Sequence, residues 1–149
     1  MKTLLCLITL FLLSSVVVYA ETYGKINVDK VLSVYDGDTF RCNIKGWPKI
    51  AGENIAVRVK SIDTPEIRCK KSYSDEECKR LKALARTARR LTENLLKRAK
   101  IVELRNIERG KYFRILADVY VDDKNLAEIL LKNKLAVLYD GGRKKDWLK

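Results

Sequence analysis

The segment from Ser74 to Lys100 carries the strongest hydrophobic periodicity in the sequence, SDEECKRLKALARTARRLTENLLKRAK. Its apolar residues recur at spacings of three and four, which is typical of one face of an α-helix. These positions are Leu81, Leu84, Ala88, Leu91 and Leu95. Ser74 followed by Glu77 is the pattern of a capping box, in which each side chain binds the backbone N–H of the other residue. The segment is therefore predicted to be a long helix, with its apolar stripe in the core and its Lys and Arg residues in solvent.

Alternating apolar and polar residues on both sides of this helix predict β-strands. Three strands are predicted before it, at Lys25–Tyr35, Thr39–Ile44 and Ile55–Ile62. Two strands, a shorter helix and a loop-like tail are predicted after it, the first three at Ile101–Ile107, Arg114–Val121 and Leu126–Leu131. Strand runs that alternate with only two helices indicate an α+β domain. The order fits a five-stranded OB-fold β-barrel with two to three α-helices, a fold that often binds nucleic acids.

Residues 1–20 have the pattern of a secretory signal, with a positive charge at Lys2, an apolar run and a small residue at the end. The apolar run from Leu4 to Val18 is shorter than the roughly 20 residues of a membrane-spanning helix, which disfavours the alternative of an uncleaved anchor. We expect cleavage after Ala20 and one domain over residues 21–149, because that length suits a single core. The expected location is secreted or periplasmic, without stable membrane association once the signal is removed.

The sequence is strongly basic, with 31 Lys and Arg residues against 19 Asp and Glu and a net charge of +12. Such a chain is drawn to polyanions, most simply nucleic acid, although excess lysine also serves solubility. Histidine is absent, which excludes hydrolase mechanisms whose base, nucleophile or metal ligand is an imidazole. Acid–base chemistry must then use carboxylates or Lys, Tyr and Arg side chains. We expect a monomer whose partner is nucleic acid.

Three cysteines follow the predicted signal: Cys42, Cys69 and Cys78. In the run TFRCNI the strand alternation puts Cys42 on the same face as Phe40 and Ile44, which predicts a buried, inert thiol. Cys69 and Cys78 are then the candidates for a disulfide, which export from the cytoplasm would permit. The alternative is two free thiols.

Three acidic residues follow predicted strands or strand turns: Asp38, Asp63 and Glu66. If the two strands before them are neighbours, the carboxylates converge at one rim of the sheet. Carboxylates without histidine form a hard-oxygen site that suits Ca²⁺ or Mg²⁺. The alternative is a local structural role for each, with Asp36 and Asp38 in an Asx-type turn and Asp63 capping the turn before Pro65.

Two arginines favour the metal-site interpretation. Arg58 lies on the non-core face of the strand that leads to Asp63, and Arg114 begins a later strand. A divalent cation with two guanidinium groups suits a phosphodiester, because the phosphate gains negative charge on its oxygens during hydrolysis. A carboxylate that is not a metal ligand is then available to orient or deprotonate the attacking water.

The motifs VYDGDTF, VRVKSIDTPE and KYFRILADVYVD, in this order and with a helix between the second and third, resemble the staphylococcal nuclease (thermonuclease) family. The resemblance extends from about Lys25 to Tyr139. It implies an OB barrel with helices and Ca²⁺-dependent endonucleolytic hydrolysis of DNA and RNA that leaves 3′-phosphates, with Mg²⁺ the less favoured cofactor.

The resemblance also assigns roles to the acidic residues. Asp38 and Asp63 would be the carboxylate ligands of Ca²⁺, and Thr64 would contribute its backbone carbonyl. Glu66, the acid of the T-P-E motif, would be the general base or the group that orients water.

For the substrate, the resemblance assigns Arg58 and Arg114 to the scissile phosphate. Lys111 and Tyr112 match a Lys-Tyr pair that contacts a terminal phosphate of the nucleotide. Tyr139 falls near the aromatic pocket that stacks a base.

The sequence departs from the family where Tyr-Gly-Arg is usual, since it has Tyr112-Phe113-Arg114. A bulky residue in place of glycine is expected to alter the turn that directs Arg114. Activity is expected to survive because the arginine itself is present.

Two functions from different classes follow from these observations. The first is an endonuclease with low sequence specificity, because phosphate contacts and stacking do not read base edges. The second is a non-catalytic OB-fold module that binds single-stranded nucleic acid through its basic face. Glu66→Gln discriminates between them, because it should lower turnover by orders of magnitude in an enzyme with binding nearly intact, and change nothing in a binding module.

Overall fold

A computed structural model describes residues 23–148 of the chain. The predicted signal at residues 1–20 and its cleavage after Ala20 lie outside these residues. The elements of the described part, in chain order, are β1 (Lys25–Asp36), β2 (Thr39–Ile44), α1 (Lys49–Gly52), β3 (Ile55–Val59), β4 (Ile62–Asp63), α2 (Asp75–Arg98), β5 (Val102–Arg109), β6 (Ile115–Val121), β7 (Lys124–Asn125), α3 (Leu126–Lys132) and β8 (Val137–Leu138).

Five of the strands form a closed barrel. Hydrogen-bonded neighbours follow the order β3, β2, β1, β5, β6, and a parallel pairing of β3 with β6 closes the circle. The other pairs around the barrel are antiparallel. Closure removes the exposed edges that an open sheet would present. The predicted α+β class and five-stranded OB-fold barrel are confirmed, and residues 23–148 contain three helices.

Alternating side chains of the strands fill the barrel. The largest of these, Phe40 on β2 and Leu104 on β5, are fully buried. Cys42 is a free, buried thiol in the same core, as its alternation with Phe40 predicts. Burial raises the pKa of the Cys42 thiol to about 12, so it stays protonated and unreactive.

The predicted strand Ile55–Ile62 is wrong after Val59, where β3 ends. The chain turns at Lys60 and Ser61, where Ser61 has a φ of 62°, and a separate short strand β4 follows. The reason lies in the side-chain period of two: Val59 points into the core, so Ile62 can also be buried only if the alternation is interrupted. The turn takes Asp63 out of the barrel sheet and pairs β4 with β8 instead.

The predicted loop between Gly46 and Gly52 is also corrected. Residues of α1 form one helical turn there, directly after Pro48. Proline at the start of a helix costs nothing, because the first N–H groups of a helix have no internal partner. The tail predicted as a loop begins at Tyr139, and residues 139–148 contain no helix or strand; the short strand β8, directly before it, was not predicted.

Helix α2 confirms the prediction from its periodicity. Both hydrogen bonds of the capping box between Ser74 and Glu77 are present. The residues buried against the barrel are Leu81, Ala85, Ala88, Thr92 and Leu96. Leu84, Leu91 and Leu95 from the predicted stripe are partly buried at its edge. No helix within residues 23–148 is both long and apolar enough to cross a membrane.

The turn between β1 and β2 packs closely on α2. The Thr92 hydroxyl donates a hydrogen bond of 2.7 Å to the carbonyl of Gly37. A Cβ atom on Gly37 would lie 2.9 Å from Ala88 Cβ and 2.9 Å from Thr64 Cγ2. The absence of a side chain at position 37 therefore lets the turn, the helix and Thr64 meet.

We predict that Gly37→Ala lowers the free energy of unfolding by about 1–3 kcal/mol, the usual cost of overpacking a tight contact. The added methyl group must displace either Ala88 or Thr64. Urea denaturation in the presence of a chelator measures this change. A variant that unfolds at the same urea concentration as the wild type would show that the turn has room for a side chain.

Candidate active site

Asp38 lies at the start of the return strand β2 and is only 1% exposed. Its Oδ1 accepts hydrogen bonds from Arg58 Nη1 at 2.6 Å and from Thr39 Oγ1 at 2.8 Å. Its Oδ2 accepts one from the backbone N–H of Thr64 at 3.1 Å. The three contacts fix both oxygens of a buried carboxylate, which satisfies its need for partners.

Asp63 lies on β4 and is 2% exposed. Its Oδ1 accepts from Arg58 Nη2 at 3.0 Å and lies 3.0 Å from Lys144 Nζ. One guanidinium group therefore bridges Asp38 and Asp63. The order of the strands predicted only that these two residues lie at the same rim of the sheet. Arg58 was expected to contact phosphate; in this structure its two terminal nitrogens hold the two acids.

Asp36 adds a third carboxylate beside Asp38. Its Oδ1 accepts from the backbone N–H of Asp38 at 3.2 Å, which is the turn-forming contact expected of an Asx residue. Burial, and secondarily the neighbouring Asp38 charge, raises the pKa of Asp36 to about 7. The Asp36 carboxyl is thus harder to ionise than that of an isolated aspartate.

Thr64 is buried beside these acids, and its side-chain Oγ1 has no hydrogen-bond partner among residues 23–148. A divalent cation of the Ca²⁺ type binds carboxylate, carbonyl and hydroxyl oxygens. The two buried carboxylates and the unpaired oxygen of Thr64 are donors of that kind, so the residues present fit such an ion. Among residues 23–148 no three acidic, histidine or cysteine side chains form a complete metal cage.

Glu66 lies in the loop after β4, with its side chain 50% exposed. It does not join Asp38 and Asp63 directly, as a three-carboxylate cluster would require. Instead, the Lys144 ammonium group contacts both Asp63 and Glu66. Burial opposes the charge on Lys144, but hydrogen bonds to Glu66 and Asp63 outweigh it and raise the pKa of Lys144.

Arg114 precedes β6 and does not touch the acidic residues. Parallel pairing places Arg58 alongside Leu116, so Arg114 lies two residues before that point in the neighbouring strand direction. Its Nε is buried without a partner in the described part of the chain. The turn before it is closed by a 2.7 Å hydrogen bond from Gly110 N to Arg114 O.

Phe113 occupies a position in this turn where glycine is usual in the family that the motifs resemble. Tyr112 and Phe113 have φ values of 59° and 55°, a left-handed conformation that favours glycine. The Arg109 guanidinium lies 4.6 Å from the centre of the Phe113 ring, a cation–π contact that stabilises this conformation. The turn therefore forms with a bulky residue.

The remaining predicted substrate residues lie at the periphery. Tyr112 is 92% exposed and Lys111 is also exposed, both on the turn before β6. Tyr139 follows β8, and its ring centre lies 6.0 Å from the Arg58 guanidinium. Its hydroxyl donates to the carbonyl of Gly142 at 3.0 Å. Only Tyr139 of the three is close to the acidic residues.

Cys69 and Cys78 form a disulfide with their Cα atoms 5.6 Å apart, so the alternative of two free thiols does not hold. The bond joins the loop after Glu66 to the first turn of α2. Tyr73 lies within the closed loop, and its hydroxyl donates to Asp146 at 2.6 Å. The disulfide thereby supports the surface on which the end of the chain packs.

Lys144 was not predicted as a site residue. The sequence shows only a basic run, Arg143-Lys144-Lys145, after a glycine pair. Nothing in such a run indicates which side chain reaches the acidic residues, because that depends on how the tail packs. The packing of the tail depends on Asp146 and Trp147 nearby. The sequence around these two residues does not indicate that role either.

Comparison with known proteins places this geometry in a family. The profile of the staphylococcal nuclease homologue family matches residues 56–147. The chain is 35% identical over 106 residues to the SPbeta prophage-derived endonuclease YokF of Bacillus subtilis (strain 168). It is 33% identical over 105 residues to Endonuclease YncB of the same organism.

Each alignment covers 68% of this chain but only 30% of the first relative and 43% of the second. The chain thus spans less than half the length of these curated relatives. The matched region contains the predicted site residues other than Asp38. As its motifs predicted, the chain belongs to the staphylococcal nuclease homologue family.

Proposed function

We propose that this protein is a Ca²⁺-dependent endonuclease that hydrolyses phosphodiester bonds of DNA and RNA with little sequence preference and leaves 3′-phosphates. The observation that carries the proposal is the pair of buried carboxylates on Asp38 and Asp63, held by Arg58 beside the unpaired hydroxyl of Thr64. Two relatives that bear the name endonuclease support it.

Asp38, Asp63 and Thr64 are the residues that would hold the cation. Ca²⁺ is favoured over Mg²⁺ because it accepts irregular sets of oxygen ligands, whereas Mg²⁺ demands near-octahedral geometry. When bound, the cation would stabilise the negative charge that develops on the phosphate.

The arginines would bind the phosphate itself. Arg58 uses three of its five N–H groups on Asp38, Asp63 and the Ile62 carbonyl, which would leave its Nε–H and one Nη1–H for a phosphate while it still bridges the acids. Arg114 would contribute a second guanidinium group from the turn before β6. Glu66 would accept the proton of the attacking water or orient it.

Positive charge would bring the polyanion to this site, since the chain carries +12 overall. Lys111, Tyr112 and Tyr139 would contact the nucleotide around the scissile phosphate. Contacts to phosphate and stacking on tyrosine do not distinguish bases, which accounts for the low specificity proposed.

We further propose that the protein acts as a monomer outside the cytoplasm, secreted or periplasmic. The support is the signal pattern at residues 1–20, and the disulfide between Cys69 and Cys78 is consistent with an oxidising compartment. Fractionation of the producing cells, followed by sizing of the purified protein, tests both statements.

The activity is tested by incubating the purified protein with supercoiled plasmid DNA and with RNA, in Ca²⁺, in Mg²⁺ and in chelator. We expect cleavage of both substrates in Ca²⁺ and none in chelator, because the carboxylates would lack the cation that makes the site competent. Cleavage that chelation does not affect would contradict the metal requirement. Binding without cleavage in every condition would favour the non-catalytic OB-fold module.

A further inference from the structure

We propose that Lys144 is a positioning residue for the nuclease reaction, one that holds the Glu66 carboxylate beside Asp63 from the C-terminal segment of the chain. The C-terminal segment is defined as residues 139–148. The inference rests on the proposed function, because it assigns a reason for the position of the candidate base.

Glu66 needs such a partner. Glu66 lies on a loop, and half of its side chain is exposed. Among the described residues, only Lys144 forms an ion pair with its carboxylate. An unrestrained glutamate populates several rotamers, and fixing it costs conformational entropy. A base that samples several positions spends little time in the one from which it can act on water.

Lys144 is suited to hold it. An ammonium group has three N–H donors, so one lysine can bind two carboxylates at once. Lys144 Nζ lies 3.0 Å from Asp63 Oδ1 and is hydrogen-bonded to Glu66 Oε1. Because Asp63 is buried on β4, the lysine links the half-exposed Glu66 to a buried residue of the site.

The C-terminal segment is attached on both sides of Lys144. Before it, the Tyr139 backbone N–H donates to the carbonyl of Ser61 at 2.9 Å, next to the pairing of β8 with β4. After it, Asp146 accepts from the Tyr73 hydroxyl at 2.6 Å and lies 3.5 Å from Lys70 Nζ. These contacts fix the backbone from which the long lysine side chain extends, so less entropy is lost in placing its ammonium group.

Trp147 completes the attachment. Its indole lines a cleft together with Tyr73 and Leu81, the latter a core residue of α2. The same cleft opens onto Asp63 and Glu66. Trp147 and the two acids Asp63 and Glu66 therefore line the same cleft.

The neighbours of Lys144 do not share its contacts. Lys145 Nζ lies 5.4 Å from the Trp147 ring centre, and Arg143 forms no ion pair among residues 23–148. Exposed ion pairs contribute little by themselves. Lys144 differs from such pairs because one of its partners is a buried acid, and Arg143 offers a matched control that carries the same charge in the same segment.

The test compares Lys144→Met, Lys144→Arg and Arg143→Met for cleavage of a single-stranded DNA oligonucleotide in saturating Ca²⁺. We expect Lys144→Met to lower kcat by about 10-fold to 100-fold, the usual effect of misplacing a reacting group, with KM unchanged. Lys144→Arg should recover most of the lost kcat, because it restores a donor that reaches two carboxylates. Arg143→Met should leave kcat at the wild-type value.

A second comparison tests whether attachment of the C-terminal segment positions Lys144. Tyr73→Phe removes the hydrogen bond to Asp146 and should lower kcat on its own, but not further when combined with Lys144→Met. Trp147 fluorescence, measured in metal-free protein with Trp47→Phe in all variants, provides a readout independent of activity. We expect it to be unchanged by Lys144→Met and to shift to longer wavelength with Tyr73→Phe.

Several results would overturn the inference. A higher kcat or tighter Ca²⁺ binding in Lys144→Met would show that the lysine competes with the cation. An equal loss in Arg143→Met would show that the effect is general attraction of nucleic acid. If the wild type cleaves and Lys144→Met cleaves equally fast, only the positioning role fails; if the wild type does not cleave at all, the proposed function fails with it.

Discussion

Replacement of Glu66 by glutamine is expected to lower kcat for DNA cleavage by about 10²-fold to 10⁴-fold, the range attributed to a positioned general base. Glutamine has the same shape as glutamate but cannot take a proton from water. Because the Glu66 side chain is half exposed and its ion pair with Lys144 lies at the surface, folding should be unaffected. Affinity for a single-stranded oligonucleotide should stay near the wild-type value.

Glu53→Gln is the matched control, because Glu53 is an exposed acid at the end of α1 with no ion pair among the described residues. It should cleave at the wild-type rate. Full turnover in Glu66→Gln would assign the proton transfer to another group. Oligonucleotide binding without turnover in the wild type as well would instead support the binding module.

Arg58→Met is expected to lower the free energy of unfolding of the metal-free protein by about 3–5 kcal/mol, the usual cost of breaking a buried ion pair. The Arg58 side chain is 13% exposed and bridges Asp38 and Asp63. Its removal leaves two buried carboxylates that repel each other without the charge between them. Guanidinium denaturation in chelator measures the loss.

Ca²⁺ should stabilise Arg58→Met more than it stabilises the wild type, since the cation would neutralise the same carboxylates. Arg41→Met is the control. Arg41 donates to the exposed carbonyl of Asn54 at 2.7 Å, so its loss should change stability by no more than about 0.5 kcal/mol. Unfolding of Arg58→Met at the wild-type denaturant concentration would mean that another cation, such as Lys144, compensates for the missing charge.

The elements predictable from the sequence are those whose determinants are local. The capping box of α2 lies within four residues, and the strands of the barrel follow from alternation in short runs. Each of these patterns acts through neighbours along the chain, so the barrel and its long helix follow from them. The parallel pair β3–β6 that closes the barrel does not follow from these local patterns, because its strands are separated by α2 and β5 in the sequence.

The break at Ser61 and the strand β8 were not predictable in the same way. Both depend on pairing between β4 and β8, segments that lie far apart in the sequence. A two-residue run such as Ile62-Asp63 is too short to show a period of its own. Burial of Ile62, which requires the turn, is a property of the packed core.

In the candidate site, too, the features set by local motifs were predictable and those set by long-range packing were not. The motifs placed Asp38, Asp63, Thr64 and Glu66 at one end of the barrel, because strand order brings these loops together. The contacts of Lys144 with Glu66, 78 positions earlier, were not foreseen, since they arise from packing of the tail on the disulfide-closed loop. Phe113 was expected to alter the turn before Arg114, and the structure shows a turn there in which Phe113 has a φ of 55°.

The roles assigned to Arg58, Glu66 and Arg114 stay predictions, as do Lys111, Tyr112 and Tyr139 as substrate contacts. The most direct test of the central claim, that Asp38 and Asp63 hold the cation required for cleavage, is Ca²⁺ titration by calorimetry of the wild type and Asp38→Asn, with plasmid cleavage measured on the same samples. We predict one Ca²⁺ per wild-type chain, and parallel loss of binding and cleavage in Asp38→Asn. Unchanged binding or unchanged cleavage in Asp38→Asn would contradict the claim.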